Sequence, residues 1–386
     1  MQRWPATLPE NCARVSSRKC DRVVQTEGQL SRIAVIADLL EENWPSMDLA
    51  AEQLATHLSL VDGVAGLLIR PPLRFARSGR SVSAGERAIG RFVQLPVELA
   101  ATRRKADYFH IADHSYGHLA LLFPRDRVGL YCHDIDAYRA LLPGSGAPRS
   151  RVLLSQLLLR GLRHARVVFH STAAVREEIL RYQLVPASRL VQAPLGIAAE
   201  FLVTPQPAST TRPYLLHVGS CIPRKNIELL LRIFAGVRAR IPELALVQIG
   251  GLWTDAQRAS IEQFQLAPHI QQRRGISRAD LATLYAGATA VLVPSSSEGF
   301  GIPVIEALAC GAPVVASDIA VLREVGFEGV RFCSLTDVGE WIRAVEAIHT
   351  TKQRPTTLTR DRIRARYTWQ AQARTIADSY LRPSRS

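Results

Sequence analysis

Short apolar runs with little polar alternation recur along the chain: Arg32–Asp38, Gly66–Ile69, Asp107–Ile111, Val128–Cys132, Arg166–Ser171, Leu190–Ile197, Tyr214–Ser220, Leu244–Ile249, Ala290–Val293 and Pro313–Ala316. Runs of this kind predict strands buried on both faces, as in parallel sheets covered by helices. Helical spacing fills the intervals. Leu49, Ala50, Leu54 and Leu58 give an apolar face to a helix predicted over Ser46–Ser59, with Ser46 as its cap. Further helices are expected to end near Arg163, to open at Thr172, to run through Arg240 and to open at Trp369. Repeated strand–helix units make this an α/β chain. Residues 204–213, with three prolines and no core pattern, read as a linker between two domains. Residues 1–30 are polar, lack the apolar region of a secretion signal, and are expected to be a disordered extension.

The most informative unit surrounds Ser295–Ala307. Ala290–Val293 reads as a central strand, and Pro303 has the fixed φ and missing N–H that suit the start of a helix. That helix runs through Ile305, Ala307, Leu308 and Ala309 to a stop at Gly311 and Pro313. The intervening loop therefore lies where open α/β sheets take ligands. Gly299 and Gly301, on either side of Phe300, allow a ligand close to the backbone. The helix N-terminus near Ile302 offers amides to a phosphate. Glu306 is expected in the first turn, where the dipole favours its ionised form by ~0.3–1 kcal/mol, and would accept hydrogen bonds from ribose hydroxyls. Glu298 would reach a second set of hydroxyls. Taken singly, each glutamate reads as a surface residue. With the glycines, Pro303 and both strands, the loop reads as a diphosphate cradle between two hydroxyl-binding carboxylates, which describes a nucleotide sugar.

Glu298 and Glu306, separated by seven residues in EGFGIPVIEALACGAPVVAS, resemble the signature of family 4 retaining glycosyltransferases of the GT-B fold. The resemblance spans roughly residues 32–382 and is strongest from Tyr214 to Ala316. It implies two Rossmann-like domains facing across a cleft, 31–203 for the acceptor and 214–367 for the nucleotide sugar, with a closing helix at 368–382 returning to the first. It implies transfer of a hexose from a nucleoside diphosphate sugar to a hydroxyl acceptor, with retention, no divalent metal and an acceptor that is often lipid-linked. His133 matches the family's histidine beside the donor sugar, and with Glu298 is expected to orient that sugar. Gly219, Arg224 and Lys225 resemble the donor-phosphate site, arginine binding in bidentate fashion and lysine as a point charge. Ser220 stands where the family often has another arginine. Ile270–Ile276 resembles a position near the donor base. The loop Glu41–Pro45 lacks the glycines common in the family there, so no catalytic residue is carried over to it.

A formal charge of +14 on 386 residues, from 48 Lys+Arg against 34 Asp+Glu, implies anionic partners. Phosphorylated donors, membrane surfaces and nucleic acid all qualify. The six cysteines form no C-x-x-C pair, which fits reduced thiols in the cytoplasm rather than disulfides or zinc. No apolar run approaches ~18 residues, so no transmembrane helix is expected. Arg70, Arg74, Arg77, Arg80, Arg87 and Arg91 form a basic segment, readable as solvated surface or as a contact for an anionic membrane or lipid-linked acceptor. Asp134-Ile135-Asp136 fits a metal–diphosphate D-x-D pattern, but the diphosphate already has its site in the second half. His110, His114 and His118 lack the partners of a metal site. Two other classes remain: a sugar-nucleotide epimerase of the same architecture, and a basic nucleic-acid-binding protein. Dispersed arginines and the lack of a recognised module argue against the second.

Overall fold

The computed structural model of the protein describes residues 30–42, 44–74, 82–203 and 212–382. Twelve strands stand among these residues, ten of them at the apolar runs and two more at Ile270–Arg273 and Val330–Cys333. The first six are β1 (Ser31–Ile36), β2 (Val64–Ile69), β3 (Tyr108–Ile111), β4 (Val128–Cys132), β5 (Val167–His170) and β6 (Leu190–Gln192). They make one parallel sheet in the order β2-β1-β3-β4-β5-β6. β7 (Tyr214–Gly219), β8 (Ala245–Gly250), β9 (Ile270–Arg273), β10 (Ala290–Val293), β11 (Val314–Ser317) and β12 (Val330–Cys333) make the second, in the order β12-β11-β10-β7-β8-β9. Every pairing is parallel, so each connection crosses a sheet face, and helices cover both faces. β4, β5, β10 and β11 are buried along their whole length, as their unalternating sequences require. The winding reverses between β1 and β3 in the first sheet and between β7 and β10 in the second. Ligands of open α/β sheets bind outside the carboxyl ends at such reversals.

The structure departs from expectation at the first helix and in the basic segment, and it adds a helix beyond Arg354. The first helix is Pro45–Leu58, with Pro45 at its first position and Trp44 ahead of it. Ser46 therefore lies inside the first turn and caps nothing. Its apolar face is as expected, with Leu49, Ala50, Leu54 and Leu58 buried. The basic stretch beyond Arg354 includes a helix, Thr357–Arg366, whose arginines are used internally. Arg354 donates to the Gly311 carbonyl at 3.0 Å and Arg364 to that of Ala309 at 2.7 Å, covering the carboxyl end of the helix Ile302–Ala309. The supposed cationic patch is also partly consumed. Arg70 is buried against Asp48 (3.2 Å) and Glu52 (2.7 Å), and Arg74 pairs with Glu98 (2.7 Å). Arg77 and Arg80 lie outside the described residues, as do residues 1–29 and linker residues 204–211.

The helix Trp369–Leu381, capped by Thr368, packs against the first sheet. Its Tyr380 hydroxyl donates to the Phe109 carbonyl at 3.1 Å, and Arg166 donates to the carbonyls of Ser379, Tyr380 and Arg382. A Cβ at Gly129 or Gly196 would overlap Tyr380 or Trp369, so both sites need the smallest residue.

Candidate active site

The loop after β7 turns through a short 3-10 segment, Pro223–Lys225, and Asn226 takes a left-handed conformation (φ +50°) before the helix Ile227–Arg240. The loop after β10 meets it: the Ser296 amide donates to the Arg224 carbonyl at 2.8 Å. The two loops together hold three charges. Glu298 accepts from Lys225 Nζ at 2.6 Å and from Arg224 Nη1 at 3.0 Å. Its side chain is 5% exposed. Burial alone would push this carboxyl up, but Lys225 and Arg224 outweigh it and hold it below the ordinary carboxylate range. Lys225, expected as a point charge at the donor phosphate, is itself buried and paired with Glu298. Sequence singled out these three residues, and the structure brings them together, but their mutual pairing was not foreseen.

Beneath them lies a polar layer that sequence reading missed. Gln248 is fully buried in β8 and donates to the Gly219 carbonyl at 2.8 Å. Gln272 on β9 donates to Gln248 Oε1 (3.0 Å) and to the Gly251 carbonyl (2.8 Å). This ladder fixes the strand end that carries Gly219. His217 is buried beside Lys225, and burial followed by that charge lowers its pKa to about 3, so it stays neutral. The signal was present: glutamine and histidine inside otherwise apolar strands require partners.

Gly301 precedes the helix Ile302–Ala309 with φ +94°, a conformation that favours glycine. Ile302 opens the helix and Phe300 packs edge-on to Tyr367 at 5.4 Å. Glu306 corrects an expectation. It lies beyond the first turn, is 5% exposed, and accepts from the Tyr285 hydroxyl at 3.0 Å. Burial dominates and raises its pKa to about 8, against the hydrogen bond from Tyr285. Burial thus favours the neutral acid near pH 7 over a dipole-stabilised carboxylate.

Across the cleft, the reversal between β1 and β3 carries Asp38 and Asp113, just past the two strands. Asp38 is 4% exposed, and neither of its oxygens has a hydrogen-bond donor among the described residues. Burial and the neighbouring Asp113 raise its pKa well above the usual range. His114 lies between Asp113 (3.4 Å) and Asp134 (3.2 Å), whose charges raise its pKa despite burial. The first aspartate of the D-x-D pattern is thus committed to a histidine. His133 sits at the end of β4, buried, with Nε2 2.9 Å from the Ala112 carbonyl and its ring 4.4 Å from that of Tyr131. Among the described residues no cluster of histidine, cysteine or carboxylate side chains has the arrangement of a metal site.

The two halves touch at the site. A Cβ at Gly299 would overlap the His133 carbonyl, so the loop after β10 is closely apposed to the end of β4. Ser171 donates to the Gly299 carbonyl at 2.7 Å. Glu324, in the helix Ala320–Gly326, accepts from the amides of Ala173 (2.8 Å) and Ala174 (3.1 Å) and from Gln192 (3.0 Å). A carboxylate of one domain thus caps a helix of the other.

Residues 200–365 match the family described as glycosyl transferases group 1. An O-antigen chain mannosyltransferase B of Escherichia coli is 31% identical over 194 residues, covering 46% of this chain and 50% of the relative. A D-inositol 3-phosphate glycosyltransferase of Kineococcus radiotolerans is 31% identical over 194 residues, covering 46% of this chain and 44% of the relative. The aligned part thus spans half or less of these curated relatives. Among solved structures, a sucrose-phosphate synthase of Thermosynechococcus elongatus superposes with a TM-score of 0.71 at 19% identity, over 91% of this chain and 98% of that one. Anabaena HepE, solved with UDP and glucose, gives 0.68 at 15% identity over 90% and 98%. The structural similarities extend across both sheets: the chain has the two-domain GT-B architecture, and its residues 200–365 are similar to the group 1 glycosyl transferases.

Proposed function

We propose that the chain is a hexosyltransferase that moves a sugar from a nucleoside diphosphate donor to a hydroxyl acceptor, with retention. The observation that carries this reading is the buried Glu298–Lys225–Arg224 triad at the β7/β10 reversal. When a diphosphate enters, Lys225 and Arg224 turn from Glu298 to the phosphate oxygens and stabilise the charge that develops as the leaving group departs. Glu298 is then freed to accept hydrogen bonds from sugar hydroxyls, with His133 on the opposite wall. Glu306 takes the ribose hydroxyls. Two protein cations and the helix amides near Gly301 supply the positive charge, so the reading includes no divalent metal. Asp38 and Asp113 face an acceptor at the other reversal. A lipid-linked glycan acceptor and a peripheral position on the cytoplasmic face of a membrane complete the proposal. The basic charge and the relatives named for O-antigen assembly support them.

A thermal-shift screen tests the proposal. Mannosyltransferase relatives make GDP-mannose the first donor to try, followed by UDP-sugars. A donor at a hundred times its Kd stabilises the fold by about 2.7 kcal/mol, a readily measured rise. No rise with any nucleotide sugar at millimolar concentration would refute the proposal. Product analysis then separates transfer from epimerisation, in which the donor is consumed without an acceptor.

A further inference from the structure

A continuous helical segment, residues 84–102, crosses the outside of the first domain, and its outward face is apolar. It is built from α-turns at Ala84–Ile89 and Leu95–Thr102 joined by a π-helical stretch, Gly90–Gln94. Pro96 accounts for the change of winding, because its ring removes the N–H that would bond back to Phe92. The Leu95 amide reaches instead to Gly90, five residues back. The inner face is Gly90, Gln94, Leu95 and Leu99, all buried. A Cβ at Gly90 would run into Leu73 and Leu39, so this face is pressed onto the loop at the end of β1.

The outer face consists of Ile89 (50% exposed), Phe92 (36%), Val93 (57%) and Val97 (67%), spaced along one side with Pro96, Ala100 and Ala101. Isolated exposed apolar residues are ordinary, but a row this long on one helix is not. No acidic residue interrupts the row: Glu86 belongs to the capping box at the helix start, and Glu98 pairs with Arg74. The row ends at Arg103, Arg104 and Lys105, three exposed cations that make no ion pair among the described residues. On the β1–α loop beside it, Leu40 (56%) and Trp44 (43%) are exposed as well. An apolar row closed by a cationic cluster matches an interfacial helix, with its apolar side among acyl chains and its cations at anionic headgroups.

We infer that the outer face of residues 84–102 docks the protein onto anionic phospholipid bilayers. Ile89, Phe92, Val93 and Val97 enter the interface, and Arg103, Arg104 and Lys105 hold the headgroups. This moves the membrane contact from the arginines at 70–80, two of which are paired internally, to the next helix. It also sets the mouth of the β1/β3 reversal at the bilayer surface, because the helix rests on Leu39. The inference rests on the peripheral membrane position proposed above, but on no donor or acceptor assignment.

The test is co-sedimentation with vesicles of phosphatidylcholine alone and of phosphatidylcholine mixed with phosphatidylglycerol, at low and high salt. The unmodified chain is expected to bind the anionic vesicles strongly and the neutral ones weakly, with binding reduced but not abolished by salt. Val93→Ser with Val97→Ser removes apolar surface at exposed sites and is expected to lower vesicle binding at least tenfold. Arg103→Gln, Arg104→Gln and Lys105→Gln together are expected to abolish the preference for anionic vesicles and its salt dependence. Gel filtration without lipid is run alongside, and a monomer is expected throughout. A dimer dissociated by the valine substitutions would overturn the inference in favour of self-association. Equal vesicle binding by the unmodified and valine-substituted chains, or no binding by the unmodified chain, would overturn it outright.

Discussion

Replacing Glu306 with glutamine separates the demands of folding from those of binding. The carboxyl is buried under Tyr285 and keeps its proton to about pH 8, whereas an exposed glutamate loses it near 4.5. Between those values the folded chain holds a proton that the unfolded chain has released. Its contribution therefore makes stability fall as pH rises through this window and level off above it. A displacement from 4.5 to about 8, at ~1.4 kcal/mol per pH unit, bounds that loss at roughly 5 kcal/mol. Relaxation and water entry around a buried ion reduce such penalties, so we expect about 2–3 kcal/mol. Glutamine has the shape of the neutral acid, still accepts from Tyr285 and does not ionise. Glu306→Gln should thus match the unmodified chain at pH 5 and exceed it by that amount at pH 8.5, while binding a nucleotide sugar about tenfold or more weakly at pH 8.5, where the unmodified carboxyl is ionised and accepts as a charged group. Urea unfolding of both proteins from pH 5 to 9 gives the difference curve, in which other titrating groups cancel. Parallel pH–stability curves would show that Glu306 ionises normally in the fold and would refute the argument.

Lys225→Ala should lose on both counts, because it removes a cation proposed to meet the donor phosphate and leaves buried Glu298 with Arg224 alone. We expect turnover reduced ~10²-fold and stability lowered by about 1–3 kcal/mol. Steady-state rates and urea unfolding check the two; normal turnover at reduced stability would make the lysine structural only. Gly299→Ala places a methyl against the His133 carbonyl and should wedge the two domains apart. Turnover should fall while nucleotide binding by the second domain persists, and unchanged turnover would mean that the close apposition is not needed for catalysis.

The parts legible in sequence were those governed by local chemistry. Ala290–Val293 was assigned to the residue, because an unbroken apolar run between turn signals admits few other readings. Glycines, proline and glutamates of the following loop were legible for the same reason, being adjacent in the chain. Contacts between distant segments were not. Tyr285, which donates to Glu306, comes from another helix, and it is burial among such distant segments that reverses the expected ionisation. Spacing suggested a patch for Arg70 and Arg74, but Asp48, Glu52 and Glu98 meet them from flanking helices. Asp38 and Asp113 are unremarkable in sequence and become a pair only through the strand order β1-β3. Ser46 misled because serine is a good cap, whereas Pro45 preceding it already satisfies the first helical position.

The returning helix also bears on how the chain is made. Trp369–Leu381 supplies Ala373, Ile376, Ala377 and Tyr380 to the first domain's core, yet the ribosome reaches it only after the whole second sheet. At about 5–20 residues per second, the first domain waits roughly 10–35 s after β6 for its missing wall. During that interval the groove beside the helix Pro45–Leu58 and Tyr108, which Tyr380 fills at 5.2 Å between ring centres, stays open to water. The second domain, continuous from β7 to β12, can close its own sheet first. Assembly then runs against the usual order of synthesis, and the half that emerges earlier is the one that needs shielding while it waits.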